Sequence, residues 1–173
     1  MERRLFIAGV AGAALAITAG RNIGTATASS TTTGDVMPLD KTKAEWKELL
    51  ETKQYDVLFN EATERSGSSP LNNEKRDGTY VCAACNQPLF LSETKFESGT
   101  GWPSFYQPIE GKTATKRDWK LLIPRTEYHC SRCGGHQGHV FNDGPQPTGE
   151  RWCNNGVALH FVPTSDSLPA LRV

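Results

Sequence analysis

Four of the five cysteines in this 173-residue chain fall into two C-x-x-C pairs, Cys82 with Cys85 in CAAC and Cys130 with Cys133 in CSRC. The fifth, Cys153 in GERWCNNG, is left over. Two such pairs offer four soft thiolates. Each pair can set two sulfurs on one knuckle about 3.5 to 4 Å apart, which suits a tetrahedral zinc with bonds of roughly 2.3 Å. A site of four cysteines is fully coordinated, so it has no open position for chemistry and serves to hold sheet ends together. Two disulfides or a redox pair of the thioredoxin type would use the same residues. Neither C-x-x-C opens a helix after a parallel strand, which weighs against the redox pair.

A lone cysteine is most often a small buried hydrophobe. The neighbours of Cys153 point elsewhere. Arg151 precedes it by two residues, on the same face if the run is a strand, and a nearby cation favours thiolate. That matters because an unperturbed thiol with a pKa near 8.5 is only a few per cent ionised at pH 7. The stretch GGHQGHVF sets His136 and His139 three apart among glycines, accessible enough to line a cleft and supply protons. Taken alone, each histidine suits a structural role or a spare zinc ligand as well as a catalytic one.

The elements that must position these residues change in kind along the chain. Thr42 and Glu45 make a capping-box pattern ahead of Trp46, Leu49 and Leu50, whose spacing marks one apolar helix face. A second short helix carries Tyr55, Leu58 and Phe59. From Asp77 onward the chain breaks into short runs bounded by Gly, Pro and Asn: GTYVCAAC, QPLFLS, DWKLLIP, RTEYHC, GHVF, RWCN and VALHFV. These read as antiparallel β-strands. Asn155-Gly156 between the last two predicts a tight hairpin, with Cys153 at a rigid strand end.

With 37% hydrophobic residues the chain has enough for one core. It carries 19 basic and 19 acidic residues, and Arg3, Arg4 and Arg21 face only Glu2 within residues 1–28, so the remainder is slightly acidic. That balance gives no footprint for nucleic acid. MERRLFIAGVAGAALAITAG, with a basic start, an apolar Leu5 to Ala19 run and ATA ending at Ala28, reads as an export signal. Arg3 and Arg4 ahead of Leu5, Phe6 and Ile7 resemble a twin-arginine signal, which exports folded proteins; cleavage near Ala28 predicts a bacterial periplasmic location. Such a route lets metal load before the oxidising compartment is reached, which weighs against disulfides. A retained membrane anchor is disfavoured, because the apolar run falls short of the ~20 residues needed to span. The predicted organisation is a signal over 1–28, a disordered linker over 29–40, one domain over 41–165 and a tail over 166–173.

YVCAAC, SGTGWPSF and EYHCSRCGGHQGHVFNDGPQPTGERWCNNGVALHF together resemble the B-type methionine sulfoxide reductases, from about Thr42 to Phe161. The resemblance implies a mainly β, β-tent-like fold of two antiparallel sheets with short N-terminal helices. It implies a structural zinc on Cys82, Cys85, Cys130 and Cys133, and a catalytic Cys153. It further implies that Trp102 packs on the substrate methyl group and that His136, His139 and Asn155 contact the sulfoxide oxygen and attendant water. A sulfoxide sulfur is a poor electrophile until its oxygen is protonated, so a thiolate and an acid must act together. Attack by Cys153 would then leave it as a sulfenic acid. Trp102 with Phe105 or Phe141 can supply an aromatic wall for the methyl group, and Arg151 borders it.

The implied partners are oxidised-methionine proteins or peptides and an external thiol or thioredoxin-like reductant, with the chain a monomer. Two positions depart from the family pattern. Gly156 stands where a serine is usual, which should loosen the turn. Thr100 stands where many members carry a resolving cysteine. The competing reading is a non-enzymatic zinc-ribbon binding module with Cys153 in its core.

Overall fold

A computed structural model of the protein describes residues 39–120 and 124–173. The signal over 1–28 and all of the linker but Leu39 and Asp40 lie outside the described residues. Helix α1 (Lys43–Leu49) starts where the sequence says it should: the Thr42 side chain accepts from the Glu45 amide, and the Glu45 carboxylate accepts from the Thr42 amide. It ends a residue early. Leu49 is half-exposed and Leu50 is extended, so Trp46 alone of that apolar trio is fully buried, stacked on Phe59 of α2 (Thr52–Asn60) at 5.3 Å.

The rest is β. Strands β1 (Gly78–Cys82), β2 (Pro88–Leu91) and β9 (Leu159–Pro163) form one antiparallel sheet in the order β2-β1-β9. The second sheet orders β3 (Lys95–Phe96), β4 (Ser104–Phe105), β8 (Arg151–Asn154), β7 (His136–Phe141), β6 (Arg125–Cys130) and β5 (Thr113–Asp118). Between them lies an aromatic core of Tyr80, Phe90, Phe105, Tyr128 and Trp152, with Phe90 stacked on Phe105 at 4.2 Å. Rings so packed add a little beyond the area they bury.

Several sequence expectations fail here, each for a tertiary reason. Of DWKLLIP, residues 121–123 lie outside the described residues; Asp118 ends the preceding strand, and Trp119, 71% exposed, and Lys120 follow it outside any strand. The strand is the preceding TATKRD, an outer strand of the second sheet, which can be polar because little of it is buried. GHVF is a strand as expected, within β7 (His136–Phe141), and of the two histidines expected to be accessible His139 borders a cleft whereas His136 is 2% exposed.

Asn155-Gly156 makes no hairpin. Strand β8 stays between β4 and β7, whereas β9 crosses to pair with β1, and a 3-10 turn at Gly156–Ala158 carries the chain between sheets. Asn155 keeps an ordinary φ of −67° because its amide is spoken for: Nδ2 donates to the Gln137 carbonyl and Oδ1 accepts from the Glu64 amide. Nor does Gly156 loosen anything. A Cβ there would lie 1.9 Å from Ser69 Oγ, so the glycine is what lets the loop ahead of Pro70 close onto the turn.

Candidate active site and metal centre

The two C-x-x-C segments fold alike. In each, the first cysteine's carbonyl accepts from the amide one residue past the second cysteine: Asn86 to Cys82 at 2.9 Å, and Gly134 to Cys130 at 2.9 Å. Those closing residues take left-handed φ values of 63° and 71°, which suit Asn and Gly. Cys82 ends β1 in one sheet and Cys130 ends β6 in the other, so the knuckles bring the sheet ends together. All four sulfurs lie within 4.8 Å of one another, with Cys82 to Cys133 at 3.7 Å and Cys85 to Cys130 at 3.5 Å.

Those spacings suit four thiolates around one ion, since bonds of about 2.3 Å give tetrahedral edges near 3.8 Å. Side-chain amides support the sulfurs from behind. Gln87 Nε2 donates to Cys130 at 3.4 Å and Gln137 Nε2 to Cys82 at 3.5 Å. The two ends of the described residues close over the knuckles too: the Leu39 amide donates to the Arg132 carbonyl, the Arg172 amide to the Cys85 carbonyl, and Asn86 Nδ2 to the Ala170 carbonyl. Leu39, read as linker, and the 166–173 tail are therefore bonded to the domain.

Cys153 sits in the middle of the larger sheet's exposed face. Its cross-strand partners are Ser104 on β4 and His139 on β7, and such partners project to the same face. Thr63, Trp102, Arg125, His139, Phe141, Cys153 and Asn155 border a cleft of about 130 Å³ there. A larger groove of about 780 Å³ lies between α2, the 3-10 turn and β9, meets the cleft only at Thr63 and contains no cysteine. Burial pushes the Cys153 thiol above its usual pKa, opposed first by the Arg151 charge and then by the Thr100 and Ser104 hydroxyls. Arg151 is itself held, with Nε and Nη2 donating to Asp143 at 2.8 and 2.9 Å and its guanidinium 4.3 Å from the Phe141 ring centroid.

The histidines differ in place. His139 faces the cleft, its Nε2 2.8 Å from Asp118 Oδ2, and Arg125 Nη2 donates to the same oxygen at 2.6 Å. Burial lowers its pKa, while the Asp118 contact pushes it back up. His136 lies behind, 2% exposed and edge-on to His139, with Nδ1 2.7 Å from Glu127 Oε1. Its Nε2 has no hydrogen-bond partner among the described residues. Burial would raise the Glu127 carboxyl, but the contacts with His129 and His136 outweigh it and hold the pKa down to about 2.

Trp102 is fixed through Nε1, which donates to the Glu64 carbonyl at 3.2 Å. Glu64 also binds the other side of the cleft: its amide donates to Asn155 Oδ1, and its carboxylate accepts from the Gly156 and Val157 amides. Phe105 is the residue to correct. It is wholly buried between Tyr80 and Phe90 and cannot wall the cleft, because its strand turns it toward the opposite sheet. The sequence reading missed Asp118, Glu127, Asp143, Arg125 and Glu64. Acidic residues carry no local motif of their own, and only the Arg151 charge hinted that an anion must lie close.

Residues 50–163 match the SelR domain family. The peptide methionine sulfoxide reductase MsrB of Methanosarcina barkeri is 52% identical over 124 residues, covering 71% of this chain and 87% of its own length. The protein of the same name from Pseudomonas savastanoi pv. phaseolicola is 52% identical over 126 residues, 72% of this chain and 96% of its own. That from Agrobacterium fabrum is 48% identical over 126 residues, 72% of this chain and 93% of its own. Similarity of this depth, running through both cysteine knuckles and the Cys153 strand, means that the chain belongs to the B-type methionine sulfoxide reductases and reduces methionine-R-sulfoxide to methionine.

Proposed function

We propose that the reduction proceeds by attack of the Cys153 thiolate on the sulfoxide sulfur while His139 delivers a proton to the oxygen. Carrying the reading is the pairing of Cys153 with His139 across β8 and β7 in one cleft. As the sulfur–oxygen bond of the substrate breaks, the oxygen passes to Cys153 as a sulfenic acid and methionine leaves. Trp102 and Phe141 receive the methyl group, and Asn155 borders the oxygen. His136 acts from behind His139 and does not meet the substrate. An external thiol then attacks the sulfenic acid, releasing water and forming a mixed disulfide, and a second thiol frees Cys153.

The same proposal takes protein-bound oxidised methionine as substrate, a thioredoxin-like protein or small thiol as donor, and a monomer as the working form. The ion suited to the four cysteines is a structural zinc, which would hold the two sheets and stay apart from the reaction. Export of the domain by the twin-arginine route, directed by a signal over residues 1–28, fits oxidative damage outside the cytoplasm. One turnover with the R epimer and no reductant should consume one thiol and yield a dimedone adduct on Cys153. An intramolecular disulfide to any of the other four cysteines would sink the scheme.

The pH profile follows from the two opposed shifts. The productive form has Cys153 ionised and His139 protonated, although His139 loses its proton at a lower pH than Cys153. Its population is constant between the two pKa values, falls below the His139 value as the thiolate is protonated, and falls above the Cys153 value as the imidazolium vanishes. His139→Asn should slow the step about 10² to 10⁴-fold, and its rate should rise with pH to the thiol pKa without the alkaline fall. Were His136→Asn the damaging change and His139→Asn harmless, the acid would be His136.

A further inference from the structure

The hydroxyls of Thr100 and Ser104 act on the Cys153 thiol, a third joins them from Ser98, and no step above uses them. Ser98 Oγ lies 2.8 Å from Thr100 Oγ1 and 2.8 Å from Ser104 Oγ, bridging the two. Ser104 is the cross-strand partner of Cys153 on β4 and is wholly buried. Thr100 is clamped by its backbone: Ser66 Oγ donates to its carbonyl at 2.8 Å, and the next carbonyl, of Gly101, accepts from the Gly67 amide and from Asn72 Nδ2. Gly101 has a φ of 85°, and a Cβ there would lie 2.2 Å from Ser66 Oγ, so that loop holds Thr100 with no room to drift. A threonine side chain at a fixed backbone has few rotamers to choose among.

We propose that Ser98, Thr100 and Ser104 form a hydroxyl relay that donates hydrogen bonds to the Cys153 sulfur, which makes Thr100 a further catalytic residue, and this rests on Cys153 being the nucleophile. Each hydroxyl has one proton to give. With Cys153 as thiol, Ser104 can give its proton to the Trp102 carbonyl, 3.1 Å away, and Thr100 can give its own to Ser98. With Cys153 as thiolate, Ser104 and Thr100 turn toward sulfur and Ser98 donates to one of them. The relay thus reverses with the charge of the nucleophile and favours the ionised state.

Such help is needed because the other groups facing Cys153 are committed or opposed. Arg151 shares its charge with Asp143, and His139 is neutral until it takes up a proton and has Asp118 and Arg125 behind it. Tyr128 of β6 is buried and acts only as a hydroxyl bound to Asn154. Both hydroxyls lower the Cys153 pKa against the burial that raises it. A hydrogen bond to an ionised group is roughly twice as strong as a neutral one.

The test reads the sulfur directly. Iodoacetamide alkylation of Cys153 is followed against pH in the full, metal-loaded chain, with the alkylated residue identified by peptide mass mapping. Thr100→Val should raise the thiol pKa by about one to two units and slow alkylation at neutral pH about 10 to 100-fold, while Thr100→Ser restores it and Ser98→Ala shifts it less. Turnover of the R epimer should drop in Thr100→Val at neutral pH and converge with wild type above both thiol pKa values, which damaged packing would not allow. An alkylation profile for Thr100→Val that superimposes on wild type overturns the relay. If that variant fails to fold, an unshifted Ser98→Ala profile overturns it. Because alkylation needs no substrate, the two readings fail separately: turnover surviving in Cys153→Ser would strike the nucleophile assignment and with it the catalytic part of Thr100, whereas an unshifted Thr100→Val titration would strike the relay alone.

Discussion

Cys153→Ser should lose all measurable reduction of the R epimer while keeping the wild-type fold and metal content. In the proposed scheme the side chain replaced is the nucleophile, and the scaffold does not need it: β8 pairs with β4 and β7 through its backbone, and serine occupies nearly the same volume. A thiol near neutral pH supplies a working fraction of thiolate, which Arg151 and the neighbouring hydroxyls enlarge. A serine hydroxyl in the same cleft supplies none, and His139 cannot substitute as its base while serving as acid to the sulfoxide. The other four cysteines are buried in the knuckles on another part of the sheets and give no second nucleophile. Steady-state turnover with the separated epimers, beside metal content and circular dichroism, checks all three statements. Substantial turnover in the variant would remove Cys153 from the chemistry and require another group in the cleft to attack the sulfoxide.

The parts of this site that could be read from sequence are those whose chemistry is written in short spacings. The C-x-x-C pairs name their own ligands, whereas a catalytic Cys153 came with the family resemblance, helped by Arg151 two residues before it. RTEYHC and RWCN match β6 and β8 residue for residue, because β-branched and aromatic runs between turn formers are a local signal. What failed depended on sheet order. Whether Phe105 faces the cleft or the core, and whether Asn155-Gly156 turns back or crosses over, depends on which strand lies beside β8. The Asp118 and Glu127 partners of the two histidines come from β5 and β6, joined to β7 only by register. Polar TATKRD shows no alternation to betray it as a strand, so the carboxylate it carries to His139 was invisible too.

Losing the metal should cost more than losing the nucleophile. Cys82→Ser or Cys130→Ser removes a ligand from the point where β1 of one sheet meets β6 of the other. The knuckles' sulfurs alternate in contact, Cys82 beside Cys133 and Cys85 beside Cys130, so each ligand holds the opposite sheet and not only its own. Structural zinc in small domains contributes about 10 to 16 kcal/mol, whereas a whole domain is stable by only about 5 to 15 kcal/mol. Without the ion, buried sulfurs crowd within 4.8 Å with no cation between them. The loss should reach both ends of the described chain, since Leu39 and Arg172 bond to carbonyls of the knuckles themselves. Either variant, or the wild type treated with a strong chelator under mild denaturant, should therefore lose its β-sheet dichroism and become open to proteolysis near both termini. Chelation in native buffer alone should be slow, because Cys82, Cys85 and Cys130 are wholly buried and Cys133 is 9% exposed. A wild type that folds with no bound metal, or a Cys130→Ser variant that melts with the wild type, would show that hydrophobic burial closes the two sheets unaided and that the four thiols are bystanders.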